Sequence, residues 1–140
     1  MILLDTNVVS EPLKPNGEPS VLAWIDAQAV ETLYLSAITL GELRLGIAAM
    51  PEGKRKDGLR QRLDERVVPV FAGRILSFDT DAADAYADLR TRARATGKAI
   101  GTADAYIAAV AAAHGFAVAT RDTSPFEAAG LDVINPWKAL

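Results

Sequence analysis

Five short, mostly apolar runs, Ile2–Leu4, Thr32–Ser36, Ile75–Phe78, Phe116–Thr120 and Val133–Ile134, alternate with longer stretches patterned for helix. This alternation constrains the fold more than any other feature of the chain. An uninterrupted apolar run too short for a helix suits a strand buried on both faces. Strands separated by helical segments suit a parallel sheet with helices on its two faces. The expected architecture is therefore α/β, three layers deep, around a central, mostly parallel sheet. With 140 residues and half of them hydrophobic, the chain can bury the core of one ordinary domain, taken as 1–140.

The helical stretches carry their own signals. Asn7 to Lys14 reads as a short helix ended by the loop Pro15-Asn16-Gly17-Glu18-Pro19. Ser20 is a candidate cap for Val21 to Gln28, and a further helix is expected from Thr39, with Leu40, Leu43, Ile47 and Ala48 inward. Lys54 to Val67 reads as a basic, partly exposed helix, followed by an extended link at Val68 to Phe71. Asp79 or Thr80 opens a helix reaching about Thr96, with Ala82, Ala83, Tyr86 and Leu89 inward and Asp88 paired to Arg92. Thr102 to His114 is apolar nearly all round, so neighbours must enclose it. Gly97 and Gly115 stop these two helices. Arg121 to Pro125 reads as a loop, and a last short helix runs from Phe126 to Gly130.

Composition removes several kinds of chemistry. There is no cysteine, hence no disulfide, thiolate nucleophile or Cys-based zinc site, and a single His114 cannot build a multi-histidine metal site. Any metal would be held mainly by oxygen. A formal net charge of −3 supplies no global attraction for nucleic acid, so local basic patches would have to do that. No stretch is apolar and long enough to span a bilayer or act as a secretory leader, and a cytoplasmic protein is expected.

Four acids stand out by position. Asp5 follows the first apolar run, Glu42 lies one turn into the helix after the second, Asp104 opens the Ala-rich helix, and Asp122 follows the strand after it. The carboxyl ends of parallel strands and the amino ends of the following helices share one edge of a sheet, so all four can meet. Taken singly, Asp5 reads as a helix cap and Glu42 as a first-turn charge. Asp104 is different, because a charge inside a buried helix is costly without a partner, and Thr102 is available as the cap. Four neighbouring carboxylates repel one another, and a hard divalent cation would relieve that. Mg²⁺, or Mn²⁺ in its place, takes one or two carboxylates with waters and phosphate oxygens, which fits phosphodiester hydrolysis.

In this order the acids, with Leu3-Leu4-Asp5-Thr6-Asn7, Ser36-Ala37-Ile38-Thr39-Leu40-Gly41-Glu42-Leu43, Thr102-Ala103-Asp104-Ala105-Tyr106-Ile107-Ala108-Ala109 and Val118-Ala119-Thr120-Arg121-Asp122-Thr123-Ser124-Pro125-Phe126, resemble the PIN-domain ribonucleases of the VapC toxin type. The resemblance covers nearly the whole chain. It implies a PIN-like α/β/α fold and Mg²⁺-dependent endonucleolytic cleavage of RNA, with Asp5 and Asp104 as direct metal ligands. Glu42 and Asp122 would complete the site directly or through water. Thr6, Asn7, Ser36 and Thr120 resemble groups that hold those carboxylates in place. It also implies a cognate antitoxin, a homodimer, and a heterotetramer or larger assembly with that antitoxin. The sequence departs from many relatives in having Asp122 where Asn is frequent and Pro125 where an acid is frequent.

Arg44, Lys98 and Arg121 lie near the acids in sequence and are candidates for RNA phosphates. The cluster Lys54-Arg55-Lys56 with Arg60, Arg62 and Arg66 is a second candidate, although a solvated helix face explains it as well. Two other functions fit parts of the pattern. One is a phosphatase forming an acyl phosphate on Asp5, which would want a second Asp two residues on, where Asn7 stands; the other is a receiver-like or PIN-like binding module, of which a receiver would want its acceptor Asp in mid-chain at a strand end.

Overall fold

The structure is a computed structural model that describes residues 1–138. Five strands, β1 (Ile2–Leu4), β2 (Leu33–Ser36), β3 (Ile75–Leu76), β4 (Ala117–Ala119) and β5 (Val133–Ile134), form one sheet in the order β3-β2-β1-β4-β5. Every neighbouring pair is parallel. Seven helices cover it: α1 (Thr6–Ser10), α2 (Pro19–Ala27), α3 (Ala37–Ala48), α4 (Lys54–Arg62), α5 (Thr80–Ala95), α6 (Thr102–His114) and α7 (Ser124–Ala128).

Alternation along β1 divides the interior in two. Leu3 packs into a cluster with Leu89, Ile107, Val110 and Phe126, whereas Leu4 packs with Val8, Val21, Leu43 and Leu63. Successive strand residues face opposite sides of a sheet, so adjacent leucines seed both cores. Each buried leucine contributes about 1.5–3 kcal/mol. The next residue along the strand, Asp5, is thereby held between two rigid layers. β1 is the central strand, registered to β2 on one side (Ile2 with Leu33) and to β4 on the other (Leu4 with Ala119).

Several local expectations are corrected. The cap of α3 is Ser36, whose Oγ accepts the Thr39 backbone N–H at 3.1 Å, so the helix starts at Ala37 and not at Thr39. Ser20 caps nothing: Pro19 opens α2, because proline lacks the N–H that a first turn leaves unpaired anyway. Thr102 is likewise inside α6, and Gly101 occupies the cap without a side-chain bond. The link Val68–Phe71 is a 3₁₀ turn and not extended; Pro69 fits a first-turn position. Before it, Leu63–Val67 is a π-helical turn rather than a continuation of α4. The third strand is only Ile75–Leu76, and α7 begins at Ser124, so Pro125 is helical rather than loop. Ala48 and Ala83 are exposed, since small apolar residues on a helix's solvent face cost little. The two glycine stops hold, with φ of +71° at Gly97 and +69° at Gly115.

Candidate active site

The carboxyl ends of β1, β2 and β4 build the site. Asp5 leaves β1 and caps α1: its Oδ1 accepts the Thr6 backbone N–H at 2.8 Å. Its backbone N–H donates to Ala119 O at 2.9 Å, which brings Thr120 alongside. The Thr120 hydroxyl donates to Asp5 Oδ2 at 2.8 Å and accepts from Asn7 Nδ2 at 3.3 Å and from the Asp122 backbone N–H at 3.1 Å. A hydroxyl has one proton and two lone pairs, so this one, fully buried, is saturated. Asn7 closes the corner by accepting the Arg121 backbone N–H on Oδ1 at 3.3 Å.

A second hydroxyl chain supports Glu42. Thr6 Oγ1 donates to Glu42 Oε1 at 2.6 Å. It lies 3.4 Å from Thr39 Oγ1, which in turn is 3.3 Å from Ser36 Oγ. With its only proton directed at Glu42, Thr6 is left to accept from Thr39. Thr39 is fully buried and was not among the residues singled out from the sequence. Its signal was present, because a helix capped by Ser36 puts the residue three positions on at the cap, but burial of that position was not readable.

Asp104 stands in the first turn of α6, three residues after the cap, and is half-buried. The body of the helix behind it, Ala105 and Ile107 to Ala111, is inaccessible to solvent. Burial, then the negative charge of Asp122, then that of Glu42, raise the Asp104 carboxyl above its ordinary value. Asp5 is pushed up to about 6: burial dominates, the bonds from Thr120 and Thr6 oppose it, and Asp104 and Glu42 add repulsion. Glu42 therefore acts on both Asp5 and Asp104, which act on each other, and Asp122 acts on Asp104. No group of three or more His, Asp and Glu side chains among the described residues is assembled to hold an ion by itself. That disfavours a closed protein cage and leaves room for a hard ion taking few carboxylates, with water and phosphate completing its shell.

The basic candidates separate. Arg44 turns to Asp64 at 2.8 Å and shares a hollow with Ile47, Ala48 and Arg60 that none of the four acids lines. Arg121 lies over the Trp137 ring at 5.4 Å. Lys98 is exposed and lines a hollow with Asp122. Lys56 is buried, donating to Ala48 O at 3.1 Å and Glu52 Oε1 at 2.6 Å, so it closes the end of α3 rather than meeting solvent. His114 is exposed at the end of α6 beside Phe116, apart from the acids. A hollow of about 480 Å³ lined by Leu22, Ile25, Val67 and Phe71 is mostly apolar, with Asp26 and Arg66 its charged groups, and none of the four acids lines it.

A family model described as "PIN domain" matches residues 2–131. The chain belongs to the PIN-domain family. Among curated relatives, the VapC ribonuclease Y4jK of Sinorhizobium fredii is 64% identical over 138 residues, covering 99% of each chain. Toxin FitB of Neisseria gonorrhoeae is 54% identical over 137 residues, covering 98% of this chain and 99% of that one. Among solved structures, that of FitAB bound to an IR36 DNA fragment superposes with a TM-score of 0.96 at 51% identity, over 100% of this chain and 98% of the matched one. The parallel five-stranded sheet and its helical layers are thus a PIN fold.

Proposed function

We propose that residues 1–140 are a single PIN domain acting as a divalent-metal-dependent endoribonuclease, the toxin of a VapBC-type toxin–antitoxin pair, in the cytoplasm. The observation that carries this reading is the meeting of the acids around Asp5 and Asp104: Asp104 and Glu42 repel Asp5, Asp122 and Glu42 repel Asp104, and with burial as the larger cause both carboxyls are raised, Asp5 to about 6. An all-oxygen donor set with excess negative charge suits Mg²⁺, or Mn²⁺ in its place, with Asp5 and Asp104 as direct ligands and Glu42 and Asp122 acting directly or through water. When bound, the ion would lower the pKa of an attacking water and neutralise charge developing on the phosphate.

The chain's own groups do the remainder. Thr6 and Thr120 fix both oxygens of Asp5, so that carboxylate is oriented before any ligand arrives. Thr6 fixes one oxygen of Glu42 and leaves the exposed carboxylate free to orient a water. Lys98 shares a hollow with Asp122 and suits the RNA strand's phosphates; Arg121, stacked over Trp137, and Arg44, engaged with Asp64, suit them less. The relatives named VapC and FitB, and the FitAB complex, support a cognate antitoxin as partner; the assembly proposed with it is a homodimer of this chain in a heterotetramer or larger.

The Asp-based phosphatase reading is weaker, because Asn7 has its amide committed to Thr120 and Arg121 and cannot serve as a second acid. A receiver-like module fares no better, since Asp79 after β3 is committed to capping α5 through the Ala82 N–H. Labelled RNA incubated with and without Mg²⁺ tests the proposal. Cleavage requiring the ion and reduced on the order of 10³-fold in Asp5→Ala is expected, given the several kcal/mol such an ion supplies. Cleavage that persists without metal, or unchanged in Asp5→Ala, would refute the mechanism.

A further inference from the structure

The end of α5 and the turn after it carry a charge pattern that the acidic edge does not account for. Arg90, Arg94 and Lys98, with Gly97 and Ile100, wall a hollow of about 350 Å³. Among the described residues none of these three cations is in an ion pair, whereas Arg92 on the same helix is paired with Asp88 at 2.8 Å. Arg90 lies over the Tyr86 ring at 5.5 Å, and its Nη1 is buried with no hydrogen-bond partner among the described residues. Three cations on one wall, none of them in an ion pair among the described residues, suit an oxyanion.

The position of the hollow matters as much as its charge. Lys98 and Ala99 also line a second hollow of about 400 Å³, which reaches Asp122. Asp122 and Glu127 stand in that second wall, so a phosphate is favoured on the Arg90–Arg94 side and disfavoured beside the acids. Lys98 is the step between the two. Continuing along the chain, the same loop leads into α6 and Asp104.

We propose that the Arg90–Arg94–Lys98 hollow binds a backbone phosphate of the RNA strand to one side of the cut, so that the strand runs over Lys98 towards Asp122. This rests on the ribonuclease reading above and adds the path of the substrate to it. The contacts are to phosphate, so the hollow contributes affinity and register without base preference.

The test uses the full chain and a short fluorescent single-stranded RNA, measured without divalent ion over a series of salt concentrations, and then for cleavage with Mg²⁺. Arg94→Ala with Lys98→Ala is the main variant, and Arg90→Ala is added in a triple variant whose melting curve is recorded, because Arg90 also packs on Tyr86. The double variant is expected to bind RNA on the order of tenfold more weakly, with the slope of log affinity against log salt reduced by roughly 0.7, the value for one phosphate lost on a single strand. Cleavage should show a raised KM with kcat retained, and Arg92→Ala should change neither. Unchanged affinity and slope in the double variant, while the parent still cuts RNA, overturns this inference alone. A parent that does not cut RNA under any condition overturns the ribonuclease reading instead. If inorganic phosphate binds the parent and not the double variant, while RNA binds both equally, the hollow is an anion site off the strand's path, and the assignment to RNA fails.

Discussion

The acidic edge has a pinned half and a bare half. Asp5 receives two hydrogen bonds of 2.8 Å, from the Thr6 backbone and the Thr120 hydroxyl, and is almost wholly buried. Asp104 receives no side-chain or backbone donor among the described residues and is placed by α6 alone. Both carboxyls are nonetheless raised, because burial outweighs the donors at Asp5, while at Asp104 burial and the neighbouring acids act unopposed. Hydrogen bonds in this site therefore set position more than ionisation. A rigid anchor facing an adaptable partner suits a ligand whose shell changes during a reaction.

The largest test of that contrast is Thr120→Val. It keeps the shape but leaves Asp5 Oδ2, Asn7 Nδ2 and the Asp122 N–H short of a partner, at about 1–3 kcal/mol for each group left buried and unpaired. A loss of about 2–4 kcal/mol is expected in chemical denaturation, with Mn²⁺ affinity roughly 10–100-fold lower by titration, as for other groups that support a metal ligand. A variant as stable as the parent would show that the pinned half is not pinned.

Next in size is Asp5→Asn in the metal-free protein. The folded carboxyl, at about 6, lies above its ordinary 3.8, so between those values the folded state keeps a proton that the unfolded chain has released. Stability of the parent therefore falls as pH rises through that window, by about 3 kcal/mol at most. The Asn variant escapes that loss but weakens the bond from Thr120, so a net gain of about 1–2 kcal/mol is expected at pH 7. The gain should vanish below pH 4. Urea titrations of both proteins across this range decide it, and a stability difference between variant and parent that does not grow from pH 4 to 6 contradicts the sign.

The smallest effect belongs to Thr6→Val, which frees the exposed Glu42. Stability should change by less than about 1 kcal/mol, while cleavage falls roughly tenfold, since a positioned proton-transfer group contributes about 10²-fold or more. Equal losses in stability and activity would assign Thr6 to folding alone.

Much of this was legible beforehand. Adjacent Leu3 and Leu4 announced a strand buried on both faces, and the chain order of the acids pointed to one sheet edge. The shorter-range signals misled where a competitor stood beside them: Pro19 displaced Ser20 from a cap, and Ser36 opened α3 ahead of Thr39. Lys56 sits within a basic run that reads as a solvated face, yet it turns inward to the carbonyl of Ala48. Periodicity cannot reveal this, because a long side chain chooses its partner from the fold around it.

The sequence by itself determined the parallel α/β architecture and the alternation of its strands and helices, and it singled out the four acids as candidates, because apolar periodicity and strand-end position are local properties. Only the tertiary structure decided how those acids differ. Thr120 reaches Asp5 from 115 positions away, Thr6 reaches Glu42 from 36, and Thr39 is buried between Ser36 and Thr6. A hydroxyl's partner depends on which strands lie side by side, and that register exists only once the sheet has formed.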